Sequence, residues 1–241
     1  MNPLLVVDAD HPIDWSVIRA RGDDAASFLQ GQLSCDLTTL ASNPTVEGLL
    51  LSPAGDVITS LTCRRDDEGV DLVVRRESLT TTLGALRRFL LRTRCTFDVV
   101  ADPSGPYASA GEQVARGTPG PAEFARAVAA HSFGPDFVAS HVSFTKGCFT
   151  GQELVGRLDA RGGNVPYRLA RLTGADEHHL DAVARSRGPQ GDRALQGITT
   201  AVRHDAITAL ALVHRTLLES GDTTIEDVQV EVLHGGGATS L

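Results

Sequence analysis

The apolar residues of this chain alternate between two periods up to about residue 100 and keep mainly the strand period after Pro166, and that change divides the chain. Up to about residue 100, short runs with the two-residue alternation of strands are interleaved with stretches at helical spacing. Residues 15–20 read as a strand, and Asp23 starts a helix with Ala25, Phe28 and Leu29 on one face. Residues 47–52 and 57–63 flank Pro53-Ala-Gly55, a hairpin signal, and residues 70–74 form a third short apolar run. Ser78 precedes a helix with Leu79, Leu83, Leu86 and Leu90 at helical spacing, and residues 96–100 close the unit. After Pro166 the character changes. Val165, Tyr167 and Leu169 alternate with polar neighbours, as do Val228, Val230 and Val232, while residues 195–202 and 207–213 add two more apolar strands.

These patterns predict an α+β fold. The order β-α-β-β-β-α-β over residues 1–101 resembles a ferredoxin-like split βαβ module with one added strand. Residues 165–241, with short strands between Gly and Asp turns, suggest a small C-terminal antiparallel β-barrel. Between them, residues 102–121 are rich in Gly, Pro, Ser and Ala, which suits an exposed linker. Residues 123–130 can form a short helix with Phe124, Ala127 and Val128 inward, so 102–140 reads as a connecting region and 141–164 as a separate loop-and-helix segment. From Gly235 onward the chain reads as a frayed tail.

A net charge of −8 argues against a broad nucleic-acid surface and for no direct nucleic-acid binding. Arg87, Arg88, Arg92 and Arg94 cluster, and are read as a solvated helix end. The first residues lack a basic n-region, and no apolar run is long enough to span a bilayer, so a cytoplasmic protein with no membrane partner is expected, as a monomer or weak homodimer. Cys35, Cys63, Cys95 and Cys148 are widely spaced with no C-x-x-C pair, which is neither a zinc site nor a disulfide framework, and too few clustered thiols to hold an iron–sulfur cluster unaided. The first three read as small core residues. His178-His179 diverge and make a poor metal site; they read as solvated loop residues, and no metal is expected.

The chain has a single lysine, Lys146, while the other basic residues are all arginine. An ammonium is a compact point charge where arginine is a planar fork, so an arginine-biased chain that keeps one lysine points to a local need for the ammonium. It lies in Phe144-Thr-Lys-Gly-Cys-Phe-Thr-Gly-Gln-Glu153, two residues before Cys148. Thr150-Gly-Gln-Glu153 has the T-x-x-E spacing of a capping box, which places Cys148 just outside a helix N-terminus. Gly147 and Gly151 would let the backbone turn on either side. A helix N-terminus and a nearby ammonium both favour a thiolate; the alternative is a buried, inert cysteine.

Lys146-Gly-Cys-Phe-Thr-Gly-Gln-Glu153 resembles the K-G-C-[YF]-x-G-Q-E signature of the YgfZ family, folate-binding proteins related to the T-protein of glycine cleavage. The likeness continues through Leu154-Val-Gly-Arg157 and Arg161-Gly-Gly-Asn-Val-Pro166. It includes Asp14-Trp15, Leu29-Gln-Gly-Gln-Leu-Ser-Cys-Asp36 and Leu51-Ser-Pro-Ala-Gly-Asp56 upstream, and Gly197-Ile-Thr-Thr-Ala201 and Ala209-Leu-Ala-Leu-Val-His-Arg215 downstream. The resemblance implies tetrahydrofolate or a one-carbon derivative as cofactor, with Trp15 lining its pocket and Gln30, Gln32 and Asp36 as polar contacts. It implies Cys148 and Lys146 as the reactive pair, in a signature loop with Gly147, Phe149, Gly151, Gln152, Glu153 and Arg157. The family's second ferredoxin-like half is shortened here to about forty residues, and Phe133 and Phe137 are candidates for its aromatic wall. Phe149 stands where tyrosine is more frequent.

Three functions follow from the resemblance. The first is a tetrahydrofolate-binding factor supporting iron–sulfur cluster assembly or repair in client enzymes, including tRNA-modifying ones, with those clients or assembly factors as partners. The second is a folate-dependent aminomethyltransferase or demethylase like the T-protein. The third is a folate-free scaffold that engages a partner through the signature loop. An accessory factor is expected rather than a turnover enzyme.

Overall fold

The computed structural model describes residues 6–66, 68–101, 105–174, 176–185, 195–219, 224–225 and 227–234. Val6–Asp8 (β1) opens the chain. Trp15–Arg21 (β2), Ala25–Gln32 (α1), Thr45–Leu51 (β3), Val57–Asp66 (β4), Gly69–Arg75 (β5), Leu79–Arg87 (α2) and Thr96–Ala101 (β6) follow, in the order the sequence periods predict. Five strands form an antiparallel sheet ordered β3-β4-β5-β2-β6. β5 and β6 therefore run parallel to each other on either side of β2 and are bridged by α2, one split β-α-β unit. The other crossover, α1, carries the chain from β2 to β3 at the far edge.

Period-2 alternation gives this sheet two different faces. Ile18, Ala20, Leu72 and Val74 pack under Leu29 and Leu33 at α1 and Leu83 and Leu86 of α2. On the opposite face, Trp15, Val17 and Val73 pack with Ile13 and Tyr107.

The connecting region is not an exposed linker where it is described. Ala110–Arg116 (α3), Pro121–Phe124 (α4), a 3₁₀ turn at Ala130–Phe133 and Pro135–His141 (α5) wedge between the sheets. Ser109 caps α3 through the Glu112 N–H (3.3 Å), Glu112 Oε2 accepts from the Ala108 N–H (2.8 Å), and Gly117 ends the helix at φ +64°. Small residues here permit close packing rather than disorder, because Val114, Phe124, Val128, Phe133 and Phe137 are spaced to enter the core. The expected short helix is trimmed to Pro121–Phe124, and Ala127 points outward at φ +52°.

Gln152–Asp159 (α6) precedes Tyr167–Gly174 (β7), Glu177–Arg185 (α7), Leu195–Arg203 (β8), Ile207–His214 (β9), Arg215–Glu219 (α8), Thr224–Ile225 (β10) and Val228–Val232 (β11). These strands and β1 make a second sheet, ordered β1-β8-β9-β7-β11-β10. The predicted closed barrel does not form among the described residues. Closure needs the end strands to pair with each other, and here the ends are the three-residue β1, parallel to β8, and the two-residue β10. His178 is exposed, as expected, and His179 half-buried, and both lie on α7 rather than in a loop. The predicted tail from Gly235 lies outside the described residues. The largest buried cluster joins Leu49, Leu51 and Val57 of the first sheet to Leu169, Leu210 and Leu212 of the second. Phe124, Phe133 and Phe137 of the wedge, and Phe149 and Val155 of the signature, complete it.

Candidate functional site

The signature loop between α5 and α6 is stitched onto the end of α1. At its start the Ser143 N–H donates to the Ser34 carbonyl (2.9 Å), and at its end the Thr150 N–H donates to the Gly31 carbonyl (3.1 Å). Between them, Lys146 Nζ donates to the carbonyls of Gln30 (2.5 Å), Leu33 (2.7 Å) and Cys35 (2.8 Å). The last carbonyls of a helix have no intrahelical donors and carry partial negative charge, so an ammonium with three donors satisfies Gln30 and Leu33 at the helix end and Cys35 in the turn that follows, and complements the dipole. Phe149 is buried beneath, its ring centroid 5.3 Å from Nζ. Burial accounts for phenylalanine here, since a tyrosine hydroxyl would need a partner.

This arrangement corrects the expected role of Lys146. Its ammonium is engaged with backbone carbonyls rather than with the Cys148 thiol, and burial lowers its pKa. Cys148 itself is exposed, whereas Cys35, Cys63 and Cys95 are buried as predicted. The loop thus holds one accessible thiol beside a fixed anchor.

The capping box is also corrected. The Thr150 hydroxyl donates to Gln32 Oε1 (3.1 Å) instead of capping, and Gly151 takes the N-cap position at φ +81°. Glu153 is 87% exposed at its side chain and pairs with Arg157 one turn on, which leaves Gln152 Oε1 to accept the Phe149 N–H (3.3 Å). Gly151 sits against the first hairpin: an added Cβ would lie 2.6 Å from the Ser52 carbonyl oxygen. Gly147, by contrast, has no positive φ, and a Cβ there would meet nothing within 4 Å, so it opens space beside Cys148 rather than turning the chain.

The residues expected to contact folate do not converge. Trp15 is 5% exposed, its Nε1 donates to the Tyr107 carbonyl (2.9 Å), and Tyr107 packs edge-on at 5.0 Å. Gly105 closes the indole so tightly that a Cβ there would lie 2.1 Å from the ring. Trp15 is therefore a core anchor in this conformation, on the sheet face opposite α1. At the end of α1, Gln30 Nε2 donates to Asp36 Oδ1 (2.9 Å) and Gln30 Oε1 accepts the Leu37 N–H (2.9 Å). Asp36 also caps the following 3₁₀ turn, and hydrogen bonds from the Thr38 hydroxyl and the Gln30 amide hold its carboxyl below the usual range. Phe133 and Phe137 are core residues packed ring to ring at 5.1 Å, not a pocket wall.

One residue next to this platform escaped the sequence reading. His141 ends α5, stacks on Phe137 at 4.1 Å, and offers its carbonyl to the Ser34 hydroxyl (2.7 Å). Burial pulls its imidazole pKa down to about 4, against a smaller upward effect of the Phe137 carbonyl. The unfolded chain, with a histidine pKa near 6.5, then binds more protons than the folded one, so stability is lost as pH falls from about 6.5 towards 4. His141→Phe keeps the stack and should flatten this loss by about 3 kcal/mol near pH 4, measured by urea unfolding at pH 7 and pH 4 beside the wild type.

No family model matches the chain. The tRNA-modifying protein YgfZ of Hamiltonella defensa is 27% identical over 100 residues, covering 42% of this chain and 30% of that protein. That of Photobacterium profundum is 27% identical over 89 residues, covering 37% of this chain and 27% of its own. The chain thus matches less than a third of the length of these relatives. An uncharacterized protein of Haemophilus influenzae is 23% identical over 86% of this chain and 88% of its own. The crystal structure of the glycine cleavage system aminomethyltransferase T from Bartonella henselae matches with a TM-score of 0.59 at 12% identity, covering 95% of this chain and 86% of that one. Among the described residues no helix is long and apolar enough to cross a membrane. The chain is thus similar to YgfZ proteins over part of its length, and its mixed α/β structure shares the T-protein fold.

Proposed function

We propose that the protein is a YgfZ-type accessory factor that supports iron–sulfur cluster assembly or repair in client enzymes, tRNA-modifying ones among them, through the Cys148 thiol. The observation that carries this reading is the anchored loop: three carbonyls fix Lys146, and Cys148 alone of the four cysteines is exposed. A thiol held in this way can meet a protein-sized partner, and the empty space at Gly147 leaves room for its approach. The reading is tested in cells that lack their own YgfZ-type protein. Expression of this chain should restore the activity of iron–sulfur tRNA-modifying enzymes, and no restoration from a folded, abundant protein would refute it.

Folate enters as the family's ligand, but Trp15, Gln30, Gln32 and Asp36 as arranged do not fit it: the indole is covered and the polar groups are bonded to one another or to Thr150. No step is assigned to folate here. That closure favours a second reading, a folate-free scaffold acting through the same loop. Calorimetric titration with tetrahydrofolate separates the two: measurable binding requires Trp15 and Tyr107 to part and supports the folate-dependent factor, whereas absence of heat leaves the scaffold. Aminomethyl transfer is not proposed, because likeness to a T-protein at 12% identity carries the fold alone.

A further inference from the structure

Beneath the anchor of the signature loop lie two thiols that the proposed function does not use. Cys35 Sγ and Cys63 Sγ are 4.0 Å apart, 2% and 0% exposed respectively. Cys63 is fixed in the interior of the first sheet, paired with Val46 of β3 on one side and Leu72 of β5 on the other. Cys35 lies in the turn after α1, and its carbonyl is one of the three that hold Lys146. Opposite them, Gly48 interrupts β3, and a Cβ there would lie 2.5 Å from Cys35 Sγ. Glycine weakens a strand interior, and here its bare Cα makes the space that lets the sulfur sit beside its partner.

We propose that Cys35 and Cys63 form a buried redox site, a dithiol that closes reversibly to an intrachain disulfide and thereby loosens the hold of the loop on Lys146. Paired thiols in reducing compartments that form disulfides usually do so transiently, as sensors or reactants. The two sulfurs are differently prepared. Their mutual hydrogen bond, with the Lys146 ammonium helping, holds the Cys35 thiol below its ordinary range, while burial pushes Cys63 well above it. Cys35 is therefore the nucleophile and Cys63 the resolving thiol.

The oxidant is hydrogen peroxide, small enough to reach a buried sulfur during local opening. The Cys35 thiolate attacks the peroxide oxygen, the O–O bond breaks, and the leaving hydroxide takes a proton to become water. Cys63 then attacks the resulting sulfenic sulfur, the S–O bond breaks, and the departing hydroxide takes the Cys63 proton as a second water. Two thiols and one peroxide become one disulfide and two waters, each sulfur losing one electron. The sulfurs must close from 4.0 Å to about 2 Å. Because Cys63 is pinned on both sides, the movement falls on Cys35 and its carbonyl, and the 2.8 Å bond to Lys146 has little slack.

The test uses the whole native protein, treated with hydrogen peroxide, quenched, denatured, alkylated and mapped by mass spectrometry. A Cys35–Cys63 linked peptide, lighter by two hydrogens and restored by dithiothreitol, is expected in the wild type and in Cys95→Ser and Cys148→Ser. Native alkylation of Cys148 should be several-fold faster in the disulfide form. Full alkylation of Cys35 and Cys63 while Cys148 oxidises would overturn the site, as would linkage of either to Cys148 instead. A disulfide that leaves the Cys148 rate unchanged would overturn the coupling to the loop. None of these outcomes depends on whether the client reading is correct.

Discussion

Lys146→Ala should lower the unfolding free energy by about 2–4 kcal/mol, and Lys146→Arg should recover little of it. Alanine leaves three carbonyls at a partly buried helix end without their donor, and it removes a charge that complements the helix dipole. Arginine restores the charge but not the geometry. A guanidinium spreads its donors along a planar fork, whereas the carbonyls of Gln30, Leu33 and Cys35 converge on one point within 2.5–2.8 Å. Urea unfolding of the two variants beside the wild type checks this. An arginine variant as stable as the wild type would show that charge alone matters there, and the retention of a single lysine would be left without a cause.

The two glycines of the loop should respond in opposite ways. Gly151→Ala places a side chain at φ +81° with its Cβ 2.6 Å from the Ser52 carbonyl oxygen and 2.8 Å from Leu51 Cβ. The positive φ costs about 1 kcal/mol and the overlap with backbone another 1–3 kcal/mol, so a total of about 2–4 kcal/mol is expected. Gly55 meets the same contact from the other side, at φ +93° with Leu154 Cβ 2.5 Å away, so neither surface can retreat easily. Gly147→Ala meets no atom within 4 Å and should leave the melting temperature unchanged within about 1 °C. Thermal unfolding of both variants reads the contrast. Equal losses would mean that the loop does not rest on the hairpin as described.

Period and motif made much of this legible in the sequence. The strands and helices of the first hundred residues follow from where Ile18, Leu29, Leu72 and Leu86 fall, because each period admits one buried face. The signature segment stands out by residue type alone. What stayed hidden depends on partners distant in sequence. The acceptors of Lys146 are backbone carbonyls 111 to 116 residues away, and a carbonyl has no residue-type signature. Thr150 and Glu153 have capping-box spacing, yet Gln32 took the hydroxyl and Arg157 the carboxylate. A working cap lay instead at Ser109 and Glu112, inside a stretch whose Gly and Pro content read as a linker. The burial of Trp15 depended on Tyr107 and Gly105, from that same stretch.

Whether the exposed thiol carries the function is decided by one substitution. Cys148→Ala should be compared with the wild type in cells lacking their own YgfZ-type protein, reading the activity of iron–sulfur tRNA-modifying enzymes, with the melting temperature of each purified protein measured in parallel. Because Cys148 is exposed, its loss should leave stability within about 0.5 kcal/mol of the wild type. Enzyme activity should nevertheless fall to the level of cells without the protein. Full activity from Cys148→Ala at equal abundance would contradict a role for the thiol.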